Sequence, residues 1–315
     1  MADQGASLDI EPPPGRLPVY ATPPVLSMAR ELGVDLARVT PTGPKGRILR
    51  EDVQRFVRAV LRAGPARPVV AALAPQPAPE IDFARFGAVE RRPLSRIKRI
   101  SGPALTRSWQ TIPHVTNFDV ADVTELEAFR VSLNGAALGG ATKVTTLAFL
   151  IKAVAAALRS FPQINASLSG QEVVLKHYVH IGFAVDTPDG LVVLVIRDCD
   201  AKGVREIAME AAALGAKARG GTLKAGDMQG GCFSISSLGG IGGTGFTPII
   251  NAPEVAILGV ARSEMRPQWN GSAFVPRLML PLCLSWDHRV IDGALAARFL
   301  AHLGGLLGDL RRVGL

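Results

Sequence analysis

A histidine set among acids carries the strongest chemical signal in the chain. Asp287-His288-Arg289-Val290-Ile291-Asp292-Gly293 follows the apolar run LMLPLCLSW and precedes the helix-like ALAARFLAHL. A strand end is where a rigid scaffold can present a reactive side chain. Imidazole titrates near neutral pH, so His288 has the chemistry of a general base that takes a proton from a thiol or hydroxyl and later returns it. The plainer alternative is a histidine that only hydrogen-bonds at a turn. Asp287, Arg289 and Asp292 favour a built site, because polar groups packed between two apolar elements need partners.

A second candidate lies in GGCFSISSLGGIGGTGFTPIINAPEVAILGV, residues 230–260. Its GIGGTG matches the dinucleotide fingerprint in letters, but that motif needs a helix to open against the pyrophosphate, and Pro248 and Pro253 oppose one. No GK[ST] follows, which removes the phosphate-loop reading as well. What remains is a turn with Ser236 and Ser237 beside glycines that permit close backbone approach to a ligand. A hydroxyl there could donate to a developing oxyanion, against the alternative of an ordinary strand-end serine. His114 reads as a satisfied core side chain before a site residue. His177, His180 and His302 carry no partner pattern, and their HxxH lacks the glutamate of the zinc-protease motif. The three cysteines, Cys199, Cys232 and Cys283, are far apart with no CxxC, so a disulfide framework and a zinc site are both unsupported.

The elements that must position these residues are legible as blocks. Residues 145–161 and VREIAMEAAALGAKARGG have apolar residues at three- and four-residue steps, which predicts helices. HIGFAVDT, LVVLVIRD, CFSISS, VAILGV and LMLPLCLSW predict strands bounded by Gly, Pro, Asn or Asp. Together they predict a mixed α/β domain of the α+β type around one sizeable sheet, over residues 82–315. Residues 61–81 are rich in Ala and Pro, the composition of a semi-stiff linker. Before them, residues 21–60 predict two short helices, Val25 to Leu32 and Glu51 to Val60, in a miniature domain. Residues 1–20, with Pro12 to Pro14 in succession, read as disordered.

Composition narrows the classes. With 315 residues and 48% hydrophobic content the chain supports two folded units. No stretch reaches the roughly 18 apolar residues of a membrane span, and the start lacks a secretory signal, so a cytoplasmic location is expected. The net charge of +8 suits nucleic acid, acidic proteins or phosphorylated cofactors, but only 5% of residues are aromatic, so a base-stacking surface is poorly supplied.

Several long segments in the same order, among them RPLSRIKRISGPALTRSW, TIPHVTNFDVADVTELEAFR, AVDTPDGLVVLVIRD, the serine segment and PRLMLPLCLSWDHRVIDGA, resemble the catalytic domain of dihydrolipoamide acetyltransferases. ATPPVLSMARELGVDLARVTPTGPKGRILREDVQRFV is similar to the peripheral subunit-binding domain of the same family. The resemblance implies a chloramphenicol-acetyltransferase-like fold and acyl transfer, here acetyl, between dihydrolipoamide and coenzyme A. It assigns His288 as the base, Ser236 as the oxyanion donor and Asp292 as an orienting or electrostatic support. It implies a site between subunits of a homotrimer, with histidine and serine from neighbouring chains, and no metal. Arg96, Lys98 and Arg99 are the candidates for the coenzyme A phosphates. Arg30 and Arg47 match basic positions that bind decarboxylase or dihydrolipoamide dehydrogenase components. Leu26 stands where the family often has a further arginine, and Leu194 where it usually has proline. Nothing upstream resembles a lipoyl domain, so the lipoyl group is expected in trans or from a missing domain. The sequence leaves open a trimer, a 24-mer or a 60-mer, with LLGDLRRVGL able to join trimers. The rival readings are a non-catalytic scaffold that recruits partners and, less favoured, an antibiotic acetyltransferase of the chloramphenicol type.

Overall fold

The computed structural model describes residues 20–63, 81–136 and 142–314. The expected disordered start and most of the Ala/Pro linker lie outside them. Packing divides the chain into two compact units, Met1–Val89 and Glu90–Leu315.

In the first unit, α1 (Pro23–Glu31) starts with proline in its first turn after Thr22 and is followed by Gly33 in the left-handed region, at φ 64°. The amphipathic α2 (Arg50–Ala63) packs beside it over a small core of Val25, Val39, Ile48 and Val53. So little apolar area needs a polar staple, which Asp52 supplies. Its buried carboxylate accepts from the Thr42 hydroxyl at 2.6 Å and from the Thr42 and Leu49 amides at 3.0 Å each. Those bonds, the Thr42 hydroxyl first, hold its pKa below the usual carboxylate range.

The second unit begins with α3 (Arg96–Thr111), capped by Ser95, whose side chain accepts from the Lys98 amide. Then follow β1 (His114–Asp122), α4 (Thr124–Gly135), α5 (Thr146–Ser160), β2 (Ala166–Ser169), β3 (Glu172–Leu175), β4 (Ile181–Thr187), β5 (Gly190–Ile196), α6 (Val204–Arg219), β6 (Phe233–Ser237), β7 (Ala256–Val260), β8 (Glu264–Trp269), β9 (Phe274–Asp287) and α7 (Gly293–Gly308). Seven strands form one mixed sheet in the order β1-β9-β7-β6-β4-β5, with β8 on the outer half of β9. β6 runs parallel to β4 and β7, and the other pairs are antiparallel. β2 and β3 make a separate hairpin.

Residue alternation along the strands explains which face is covered. Leu280, Leu282, Leu284 and Trp286 of β9, with Phe233 and Ile235 of β6, join the buried cluster that includes residues of α5, α6 and α7. The middle helix α5 packs against both others and buries apolar residues almost all round. Its mid-helix cation, Lys152, escapes full burial by donating to the Asp200 carbonyl at 2.8 Å. The glycine-rich stretch after β6 crosses the opposite face. There a Cβ on Gly259 would sit 2.9 Å from the Phe246 ring, which explains a glycine in mid-strand.

Candidate functional site

β9 is paired with β1 and β7 on its two sides over its last residues, so its C-terminal end is held from both sides. The chain turns sharply there. Asp287 is 2% exposed, and its carboxylate accepts from the Arg289 amide at 3.0 Å and from the guanidinium Nε at 3.0 Å and Nη2 at 2.7 Å. These bonds push the Arg289 pKa up and satisfy a charge that burial would otherwise penalise. The Asp287 carbonyl accepts from the Val290 and Ile291 amides at 3.0 Å, closing the turn. His288 is left exposed on the outside of it, with its ring 4.8 Å from the buried indole of Trp286 and its amide donating to the Pro113 carbonyl at 3.1 Å. Neither ring nitrogen has a hydrogen-bond partner among the described residues, so both are available to a ligand.

Asp292 serves first as the N-cap of α7, accepting from the Leu295 amide at 2.7 Å. It is exposed, four residues beyond His288. Ser236 sits near the end of β6, half-buried, on the face opposite the helices.

The register shows that one chain does not bring serine and histidine together. Ser236 lies opposite Gly259, and Gly259 opposite Cys283, so His288 is five residues further along and two strands across. At about 3.4 Å per residue and about 4.8 Å per strand, the two are roughly 19 Å apart. A tetrahedral centre needs both groups within about 3 Å.

Arg96, Lys98 and Arg99 are exposed in the first turn of α3 and form none of the ion pairs found among the described residues. Ile97 and Lys98 lie against Gly190, at the turn between β4 and β5. α3 has 16 residues, roughly 24 Å of helix, before the chain reaches His114, so the basic cluster is remote from His288 of the same chain. In the small unit, Arg30 in the last turn of α1 and Arg47 beside the Pro44–Gly46 turn are both exposed.

Two of the other histidines have bonded rings. The His114 ring is satisfied on both nitrogens, and Nδ1 of His180 accepts from the Asp198 amide at 3.0 Å. All three cysteines are buried and free. Among the described residues no group of three or more His, Cys, Asp or Glu side chains is arranged to hold a metal, and no helix is long and apolar enough to cross a membrane.

Glu254 escaped sequence reasoning. Only 3% exposed, its Oε1 accepts from the Ser234 hydroxyl at 2.9 Å and the Asn251 amide at 3.2 Å, while Oε2 has no partner among the described residues. Burial pushes its pKa to about 7. The available signal was a lone acid inside the apolar run INAPEVAILGV.

Residues 86–315 match the family described as 2-oxoacid dehydrogenases acyltransferase (catalytic domain), and residues 19–54 match the e3 binding domain. The chain is 60% identical over 302 residues to the dihydrolipoyllysine-residue acetyltransferase component of the pyruvate dehydrogenase complex of Cupriavidus necator, covering 93% of this chain and 55% of that one. It spans about half the length of the first curated relatives it matches. A solved structure of the Azotobacter vinelandii dihydrolipoamide acetyltransferase, studied for a serine, a histidine and an asparagine in its catalytic mechanism, superposes with a TM-score of 0.75 at 56% identity. It covers 76% of this chain and 99% of that one. The cubic core of the pyruvate dehydrogenase multienzyme complex gives the same TM-score, identity and coverage.

Proposed function

The chain belongs to the 2-oxoacid dehydrogenase acyltransferase family, and from that premise we propose that it transfers an acetyl group between dihydrolipoamide and coenzyme A as the oligomeric core of a pyruvate dehydrogenase-type complex. His288 removes the proton of the attacking thiol, because the thiolate is the nucleophile. The thiolate sulfur adds to the thioester carbonyl, and the Ser236 hydroxyl of a neighbouring copy donates to the resulting oxyanion, an interaction typically worth about 3 kcal/mol. The carbonyl re-forms as the other sulfur leaves, and the proton held on His288 passes to it. Asp292, fixed as the α7 cap, supports the imidazole electrostatically.

One observation carries this reading. Ser236 stands 52 residues before His288 and Asp292 four after it, the intervals that separate the serine, histidine and asparagine studied in the Azotobacter vinelandii enzyme. Aspartate here replaces that asparagine. The wide separation of serine and histidine within one chain supports a site closed by a second copy, in a homotrimer or a larger cage.

Coenzyme A enters as a substrate, with Arg96, Lys98 and Arg99 as the proposed phosphate contacts. The lipoyl thiol comes from a domain in trans or one beyond this sequence. Residues 21–60 are the proposed subunit-binding domain, recruiting dihydrolipoamide dehydrogenase or the decarboxylase through Arg30 and Arg47. Residues 61–81 act as the linker and 82–315 as the catalytic domain, in a cytoplasmic complex. Transfer from acetyl-, succinyl- and isobutyryl-CoA to free dihydrolipoamide tests the activity. Acetyl should be fastest. A succinyl preference would overturn the acyl assignment, and full activity of His288→Ala would overturn the base.

A further inference from the structure

We propose that His114 is a positioning residue for His288, clamping the connection before β7 to the start of β1 and so fixing the main chain from which the reacting imidazole projects. This rests on the acyl-transfer reading of His288. The His114 Nδ1 lies 2.8 Å from the Ile112 carbonyl and its Nε2 lies 3.0 Å from the Ile250 amide nitrogen. A carbonyl only accepts and an amide N–H only donates, so the ring is neutral, with its proton on Nδ1 and its lone pair on Nε2. The two segments it joins are the two that hold His288. Pro113, next to His114, accepts from the His288 amide at 3.1 Å, and Val255, five residues beyond Ile250, accepts from the Asp287 amide at 2.9 Å.

The joint is packed as well as bonded. Ile112, Ile250 and Ile257 form a small buried cluster, and the Trp109 ring lies 5.5 Å from the His114 ring. Without the Nε2 acceptor the Ile250 N–H is unpaired, and the Pro113 and Val255 segments are free to shift separately. Such a shift moves the base without touching either substrate's binding contacts, so it acts on kcat.

Glutamine and methionine have nearly the same shape, but only glutamine offers an acceptor at the Nε2 position. Acetyl transfer from acetyl-CoA to dihydrolipoamide is therefore measured with the assembled full chain, its His288→Ala variant, and His114→Gln and His114→Met. The expected result is a kcat about tenfold or more lower for His114→Met with both KM values within about twofold, and recovery to within about threefold of the parent for His114→Gln. Should His114→Met fail to assemble, His114→Asn, whose amide is too short to reach Ile250, replaces it with the same expected loss. An assembled Met or Asn variant as fast as the parent overturns the proposal, as does a Gln variant no better than Met. In both cases an active parent and an inactive His288→Ala leave the acyl-transfer reading standing. An inactive parent or an active His288→Ala removes that reading, and this proposal with it.

Discussion

Two inactive variants, His288→Ala and Ser236→Ala, should restore each other when they share an assembly. The sheet register puts the two side chains at opposite ends of the strand path, two strands and five residues apart. On the proposed function, each site draws its base from one copy and its oxyanion donor from another. Removing the serine alone should slow turnover about 10²- to 10³-fold, and removing the base about 10²- to 10⁴-fold. In a ring of randomly mixed copies at equal input, half of the bases and half of the donors are intact, so about one site in four has both. Co-expression with two affinity tags, sequential purification and a rate measurement with acetyl-CoA and dihydrolipoamide give the number. Activity near one quarter of the parent is expected, far above either variant alone. Mixed assemblies no faster than the separate variants would refute the shared site.

Two further outcomes follow from the electrostatics. Glu254 is almost fully buried and titrates near 7 instead of at its ordinary 4.5, so it binds its proton more tightly folded than unfolded. Its contribution is most favourable below about pH 4.5 and is lost as pH rises through about 7, a change of about 3 kcal/mol. Thermal melts of Glu254→Gln between about pH 5.5 and 8.5 should therefore show a smaller fall in Tm with rising pH than the parent; parallel curves would contradict the assigned burial. Replacing Arg30 and Arg47 together by alanine should weaken binding of dihydrolipoamide dehydrogenase about tenfold at low salt, and by less when the charges are screened at about 0.5 M. Calorimetry at the two salt concentrations checks this, and an unchanged Kd at low salt would remove both arginines from the interface.

The elements that were legible in the sequence are those whose environment is simple. α5, α6 and α7 each lay an apolar stripe on the sheet, and β4 to β7 are short apolar runs between turn residues. β1 was not legible, because an edge strand paired only with β9 carries mixed residues such as Asn117, Asp119 and Asp122. β8 is hidden for the same reason, with Pro267 inside it. Asn270-Gly271 was the available signal for its hairpin to β9: Gly271 has φ 104°, and the Asn270 side chain accepts from the Ser272 and Ala273 amides. At the candidate site, the placement of His288 at the end of an apolar strand was legible from the motif, and GIGGTG leads into β7 with no helix between them. The distance from Ser236 to His288 was not legible, since it depends on a register set by β7, which neither residue occupies. The ring bonds of His114 depend likewise on a partner 136 residues away.

On the proposed acyl transfer, a thioester could be lost to the protein's own sulfur atoms. Burial pushes the Cys199 thiol to about 12 and Cys232 to about 11, and raises Cys283 as well. At neutral pH the first two are almost wholly protonated, and none is open to solvent. Self-acylation and mixed-disulfide formation are thereby suppressed, and the folded chain should resist alkylating reagents that label all three cysteines once it is denatured.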